Sequence, residues 1–227
     1  MPLVTTKRTG LVDQVIDQLR ELMASGEWPL GSRIPPEAEL VTALGVGRNT
    51  VREAVRALAH SGQLEVRQGD GTFVRATSEI SGAVRKLCGD ELLHVLEVRR
   101  ALEVEGARLA ATARTEEDVL EIEACLRDRD DAVRRLDRET VITKDADFHL
   151  RLVRASHNPV LIGLYEGIIE AVRSSVASSF DPEIPPEEHV SHTELVAAVR
   201  AQDPERAAAE AGGFLDELLA QHSDSST

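Results

Sequence analysis

Residues 45–58 read GVGRNTVREAVRAL. Val51, Ala54, Val55 and Leu58 recur at i, i+3, i+4 and i+7, so Arg48 to His60 is predicted as a helix with one apolar face. Arg48, Asn49, Arg52 and Arg56 then point outward. Upstream, a short helix starting at Pro36 buries Leu40, Val41 and Leu44, because proline suits a first helical turn. Gly45 breaks it, and Gly62 is placed to end the arginine-bearing helix. A further helix from about Leu11 to Ala24 gathers Val12, Val15, Ile16 and Leu19 on one side and stops at Ser25-Gly26. On the other flank, QLEVRQGDGTFV (63–74) alternates apolar and polar residues around Gly-Asp-Gly, the pattern of a two-stranded hairpin.

Two helices joined by a glycine-containing turn and followed by a β-wing make a winged helix-turn-helix. In that arrangement the second helix lies in the major groove with its N-terminal residues at the base edges, where an arginine can make a bidentate contact to guanine. The concentrated arginines therefore face DNA. One such helix reads only a few base pairs, so a homodimer on a palindromic double-stranded operator is expected.

The charge distribution divides the chain. Residues 1–76 hold 9 Lys/Arg against 9 Asp/Glu, whereas the remainder holds 17 against 31 and carries the whole formal net charge of -14. Two units with different partners follow. Their joint is expected near ATSEISGAVRKLCGD (76–90), where small and polar residues interrupt the helical period. The boundaries read as 1–76 for the DNA-binding domain, 77–90 for a linker, 91–222 for a helical effector-binding and dimerisation domain, and 223–227 for a disordered tail. Aromatics are only 3% of the residues, so the core should be aliphatic and helical. The fold class is mainly α, an N-terminal winged helix-turn-helix followed by an antiparallel all-α helical bundle. MPLVTTKR at the start lacks the apolar run of a signal peptide, and no window reaches the roughly 20 apolar residues of a membrane span. A cytoplasmic protein with no membrane partner is expected. Cys88 and Cys125 fit no zinc or redox spacing and read as passive thiols.

PPEAELVTALGVGRNTVREAVRALAHSGQLEVRQGDGTFV (35–74) resembles the winged-helix domain of GntR-family bacterial transcription regulators, and the resemblance covers Leu11 to Val74. It implies that Arg48 and Arg52 are the main DNA contacts, that Asn49 and Thr50 sit beside them, and that Gln68 and Gly69 form the wing tip. Two positions depart from the family pattern. Ala38 stands where an arginine is usual, and Gly47 replaces the serine that commonly caps the recognition helix, although glycine remains an acceptable N-cap.

The acidic half reads as amphipathic helices. On the first, Glu91 to Ala113, the apolar face of Leu92, Leu96, Leu102, Leu109 and Ala110 is interrupted by Arg99 and Glu103, which need partners if buried. Two readings stand side by side: an i, i+4 ion pair inside the bundle, or an arginine aimed into a cavity to hold a ligand carboxylate. The next helix, Thr115 to about Asp137, opens with a T-x-x-D cap and is mostly charged, as an outer helix would be. In VITKDADFHLRLVRASHNP (141–159), Asp145 and His149 fall one turn apart within the stripe of Val141, Ile142, Phe148 and Leu152. His192 lies on the face of Leu195, Val196 and Val199, with His189 one turn earlier. One carboxylate and two imidazoles turned inward suit a divalent ion such as Zn, Ni, Mn or Fe, the alternative being a hydrogen-bonded cluster in the core.

EVRRALEVEGARLAA, DADFHLRLVRASHNPVL and the stretch from His192 to Asp203 are similar to the effector domain of the FadR subfamily. That resemblance implies a helical bundle that binds small organic acids, commonly over a metal held by one Asp and three His, and no enzymatic activity. Asp145, His149 and His192 take three of those places. The fourth falls at Phe214, with Glu210 or His189 as candidate replacements and Arg99 as the candidate effector-binding cation. The rival readings are a metal-dependent hydrolase with an accessory DNA-binding domain, and a regulator whose second domain is purely structural.

Overall fold

Helix α1 (Leu11–Ala24) begins where the Asp13 carboxylate accepts a hydrogen bond from Gly10 N–H at 3.1 Å, and it buries Val15, Leu19 and Met23. The computed structural model describes residues 10–88 and 92–223, which divide into two compact units, Met1–Leu87 and Cys88–Thr227. In the first unit, α2 (Glu37–Leu44) starts one residue after Pro36 and ends at Gly45, whose φ of 65° lies in the left-handed region that glycine adopts without steric cost. Helix α3 (Arg48–His60) follows after Val46 and Gly47 and buries Val51, Ala54, Val55 and Leu58 against α1 and α2. Strands β1 (Leu64–Arg67) and β2 (Gly71–Val74) pair antiparallel with Leu64 opposite Val74 and Arg67 opposite Gly71. The expected winged helix-turn-helix is present, with its aliphatic core between the three helices and the base of the wing.

The stretch read as a linker is mostly helical. Helix α4 (Glu79–Cys88) occupies it, and its Gly82 backbone lies so close to Ser61–Gln63 that a Cβ on Gly82 would meet the Ser61 carbonyl oxygen at 2.4 Å. Arg20 binds this region to α1, donating to Gln63 at 3.2 Å and to Glu79 at 2.9 Å. A small residue among polar ones here marks close backbone packing rather than a break in structure.

The second unit contains α5 (Leu92–Ala113), α6 (Glu116–Arg134), α7 (Arg138–Arg154), α8 (Pro159–Ser179), α9 (Thr193–Arg200) and α10 (Pro204–Ser223). A short 3-10 turn, Pro186–Glu188, lies between α8 and α9. Helix starts follow the sequence: Thr115 and Asp118 form the capping box of α6, Asp137 caps α7, and Asn158 followed by Pro159 caps α8. Helix α5 packs against α7, α8, α9 and α10, which makes it the central helix. The core around it joins Ala107, Ala110 and Ala111 to Ile122, Phe148, Leu152, Leu195 and Val199. At Gly106 the α5 backbone comes so near α7 that a Cβ would lie 2.9 Å from Val153 Cγ2. Residues 1–9, 89–91 and 224–227 lie outside the described residues, so the readings of MPLVTTKR, of Glu91 as a helix start and of most of the tail do too.

Candidate DNA-reading helix and candidate metal centre

On α3 the apolar stripe faces the core, so the helix start is left to solvent. Arg48, Asn49 and Arg52 are exposed and Thr50 is half-buried. Arg52 Nη2 donates to Asn49 Oδ1 at 3.4 Å, one turn back along the same face. The N-cap is Gly47, which offers no side-chain oxygen, so the first backbone N–H groups of α3 keep no cap of their own. At the wing tip Gln68 and Gly69 are exposed, and Gly69 turns the chain with φ 81°. Cations, an amide and free backbone donors on a helix start are the groups that bind phosphates and base edges.

The second unit gathers its buried charges around α5 and α7. Asp145 and His149, four residues apart, project from the same side of α7 into the bundle. His192 is the N-cap of α9. Among the described residues, Asp145, His149 and His192 form the cluster in which each offers a ligand atom within 4.8 Å of the others. His149 Nε2 is 3.6 Å from Asp145 Oδ2, and His192 Nε2 is 3.8 Å from Asp145 Oδ1. Phe148 stacks on His192 with centroids 5.0 Å apart, while Phe214 stacks on His149 at 5.8 Å.

Around this cluster lies a second layer of charge. Arg99 and Glu103, each 1% exposed, form an i, i+4 pair with Arg99 Nε donating to Glu103 Oε1 at 2.8 Å. Tyr165 Oη donates to the same oxygen at 2.7 Å, and Arg99 Nη1 donates to Ser175 Oγ at 2.7 Å. The other Glu103 oxygen is 3.0 Å from His149 Nδ1, at angles short of a full hydrogen bond. From α6, Arg129 Nε donates to Asp145 Oδ1 at 2.9 Å. A cavity of about 90 Å³ opens on Arg99, Arg129, Asp145, Ser179, His192 and Phe214.

Burial would raise the Asp145 carboxyl, but His192, His149 and Arg129 together hold it well below the usual carboxylate range. Burial likewise works against Glu103, and Arg99 and His149 overcome it, so Glu103 stays ionised. For His192 burial dominates and pushes its pKa down to about 4, leaving a neutral imidazole, the form that ligates metals.

A divalent ion fits these residues. Both ring nitrogens of His149 are buried without a hydrogen-bond partner, an unfavourable state that an ion at Nε2 and a proton shared between Nδ1 and Glu103 would relieve. A carboxylate oxygen and two imidazoles are a donor set for Zn, Ni, Mn or Fe. The ring of Phe214 lies beside both imidazoles, with centroids 5.8 Å from His149 and 5.4 Å from His192, and offers no ligand atom.

Residues 11–74 match the model of the bacterial regulatory proteins of the gntR family, and residues 94–217 match the FCD domain. The chain belongs to the gntR family of bacterial regulatory proteins. This gntR-family regulator is 33% identical over 178 residues to an L-lactate dehydrogenase operon regulatory protein of Escherichia coli (strain K12), covering 74% of this chain and 67% of that one. It is 27% identical over 211 residues to the HTH-type transcriptional repressor NanR of Enterobacter sp. (strain 638), covering 88% and 80%. Among solved structures, Streptococcus agalactiae GntR superposes with a TM-score of 0.52 at 31% identity, covering 92% of this chain and 99% of that one. These relatives are named as transcription regulators, not enzymes, which sets aside the hydrolase reading.

Several sequence readings change in this regulator. His192 does not sit within a helix but at the N-cap position of α9, with no capping hydrogen bond from its side chain, and His189 is not one helical turn before it: it ends the 3-10 turn and stacks on Phe180 with centroids 4.8 Å apart. Glu210 is exposed on α10 and is absent from the ligand cluster. Of the two readings of Arg99, the i, i+4 ion pair with Glu103 is present; the side chain also lines the cavity, and its Nη2 is buried without a hydrogen-bond partner. Helix α6 is not merely an outer helix, since Val119, Ile122, Leu126, Arg129 and Val133 are buried. Their three-and-four spacing was the signal that could have found Arg129. Tyr165 and Ser175 carry the same sign on α8, in a three-and-four stripe with Leu161, Ile168 and Val172.

Proposed function

We propose that this gntR-family regulator is a cytoplasmic homodimer that binds a palindromic operator through Arg48, Asn49, Thr50 and Arg52, with Gln68 and Gly69 at the wing, and that a small carboxylate effector alters this binding. The effector sits over one divalent metal held by Asp145, His149 and His192, with Arg99 meeting its carboxylate. The observation that carries this reading is the buried Asp145–His149–His192 cluster opening on a cavity whose wall includes an arginine with a spare donor. When bound, the metal supplies a Lewis-acidic centre for an oxygen ligand. Glu103 orients His149, and Phe214 keeps one side of the site apolar. A cavity of about 90 Å³ equals roughly three waters at ~30 Å³ each, which limits the effector to a short organic acid. The relative named for an L-lactate dehydrogenase operon makes short 2-hydroxy acids the first compounds to try.

Elemental analysis of untagged protein, followed by thermal unfolding with short carboxylates and by binding to DNA selected from a random pool, tests the reading. One bound ion per chain and a carboxylate that both raises the unfolding temperature and shifts DNA affinity are expected. Protein that takes up no ion after dialysis against each cation leaves the three side chains as a buried hydrogen-bonding cluster, and light scattering that finds only monomer removes the dimer.

A further inference from the structure

Arg129 is a guanidinium at a position where the pattern of α6 asks for an apolar side chain. Its inward neighbours along the stripe, Ile122, Leu126 and Val133, are aliphatic, as the buried face of a helix normally is. Arg129 is 7% exposed. Its Nε donates to Asp145 Oδ1 at 2.9 Å and its Nη1 to Asp130 Oδ1 at 3.1 Å. Asp145 Oδ1 is also the oxygen that faces His192 Nε2. A guanidinium and a divalent ion would thus draw on one carboxylate, at a spacing where two cations repel.

Resting on the reading of a divalent metal at these three residues, we propose that Arg129 is the resident counter-ion of Asp145 and competes with the metal for it. A buried carboxylate with no cation beside it is strongly unfavourable, and in the metal-free domain Arg129 prevents that state. Metal binding transfers the neutralisation of Asp145 from the guanidinium to the ion. Arg129 then keeps Asp130 as its partner and stands as a second cation, beside Arg99, on the cavity wall. The same side chain also borders a second hollow of about 390 Å³ lined by Pro186, Glu187 and His189, so a released guanidinium has space on that side. Metal loading and anion binding become coupled through one residue.

Arg129→Met removes the charge at similar length, and Arg129→Gln removes it while keeping a donor for Asp145. Untagged, metal-stripped full-length wild type and both variants are titrated with Zn²⁺ and with Ni²⁺ against a chromophoric chelator, and unfolded thermally with and without each ion. Both variants are expected to bind the ion at least about tenfold more tightly than wild type. Metal-free, they should unfold at a lower temperature than wild type, yet gain more on adding the ion. If the methionine variant does not fold, the glutamine variant alone decides. Equal or weaker affinity in the folded variants, with wild type binding one ion, overturns the competition, makes Arg129 a positioning residue for Asp145 and leaves the metal reading standing. Binding of no ion by wild type or variants overturns both.

Discussion

His149 Nδ1 lies 3.0 Å from Glu103 Oε2, and both residues are 1% exposed. This pairing joins α7 to the central helix α5 and directs the other ring nitrogen, Nε2, toward Asp145 and His192. A carboxylate behind a ligating histidine fixes its tautomer and raises its basicity. Glu103 in turn is held by Arg99 and Tyr165, so the orientation of His149 depends on groups from three helices.

His149→Ala and His192→Ala are each expected to abolish binding of the single divalent ion while leaving DNA binding by the first unit measurable. Elemental analysis after dialysis reads the first property and fluorescence anisotropy the second. Retention of one ion by either variant places the metal elsewhere.

Breaking the buried pair should be costly. Glu103→Ala leaves Arg99 charged and without its carboxylate, so the helical unit should lose about 3–5 kcal/mol. The double variant Arg99→Met/Glu103→Leu should lose less than the single one, because replacing both charges by apolar groups avoids an unpaired ion. Urea unfolding in chelator checks this order, and a double variant weaker than the single one contradicts it.

Acid should weaken the metal-free protein through His192, whose folded pKa is lowered to about 4 from 6.5. Above 6.5 the ring is neutral folded and unfolded, and adds no pH dependence. Between 6.5 and about 4 the unfolded chain takes a proton that the buried ring refuses, so stability falls with pH. Asp145, with its folded pKa depressed, adds a further loss in the same direction as pH passes below its ordinary value of 3.8. Thermal midpoints in chelator should therefore decline from pH 6.5 downward, and His192→Gln should flatten that decline. An equal slope in wild type and variant contradicts it.

At the other unit, Arg48→Ala and Arg52→Ala should each weaken operator binding without lowering the unfolding temperature, since both side chains are exposed. An arginine that reads guanine is worth about 1–3 kcal/mol, with relaxed preference at one base position. Affinity should also fall steeply with salt. Unchanged affinity in both variants removes α3 as the reading helix.

Local chemistry made much of this protein legible in its sequence. The 3.6-residue period fixed α1 to α3, glycine marked the ends of α2 and α3, and the Gly-Asp-Gly turn announced the wing, because each is decided by residues within a few positions of one another. Asp145 and His149 were readable for the same reason, being one turn apart on one helix. The helix over Glu79–Cys88 was not: its apolar period of Ile80, Ala83, Val84 and Leu87 is broken by Ser81 and Gly82, and it is that small-residue face, buried against Ser61–Gln63, that docks. Leu136, His157 and Gln202 turn the chain just beyond α6, α7 and α9 with positive φ, and no glycine announces them. His192 could be recognised as a ligand type, but its place at the cap of α9 depends on how α9 packs against α5 and α6. The same holds for Arg129 on Asp145 and Glu103 behind His149: partners on different helices meet only when burial forces every charge to find an opposite one, and that choice is made by the packed bundle as a whole.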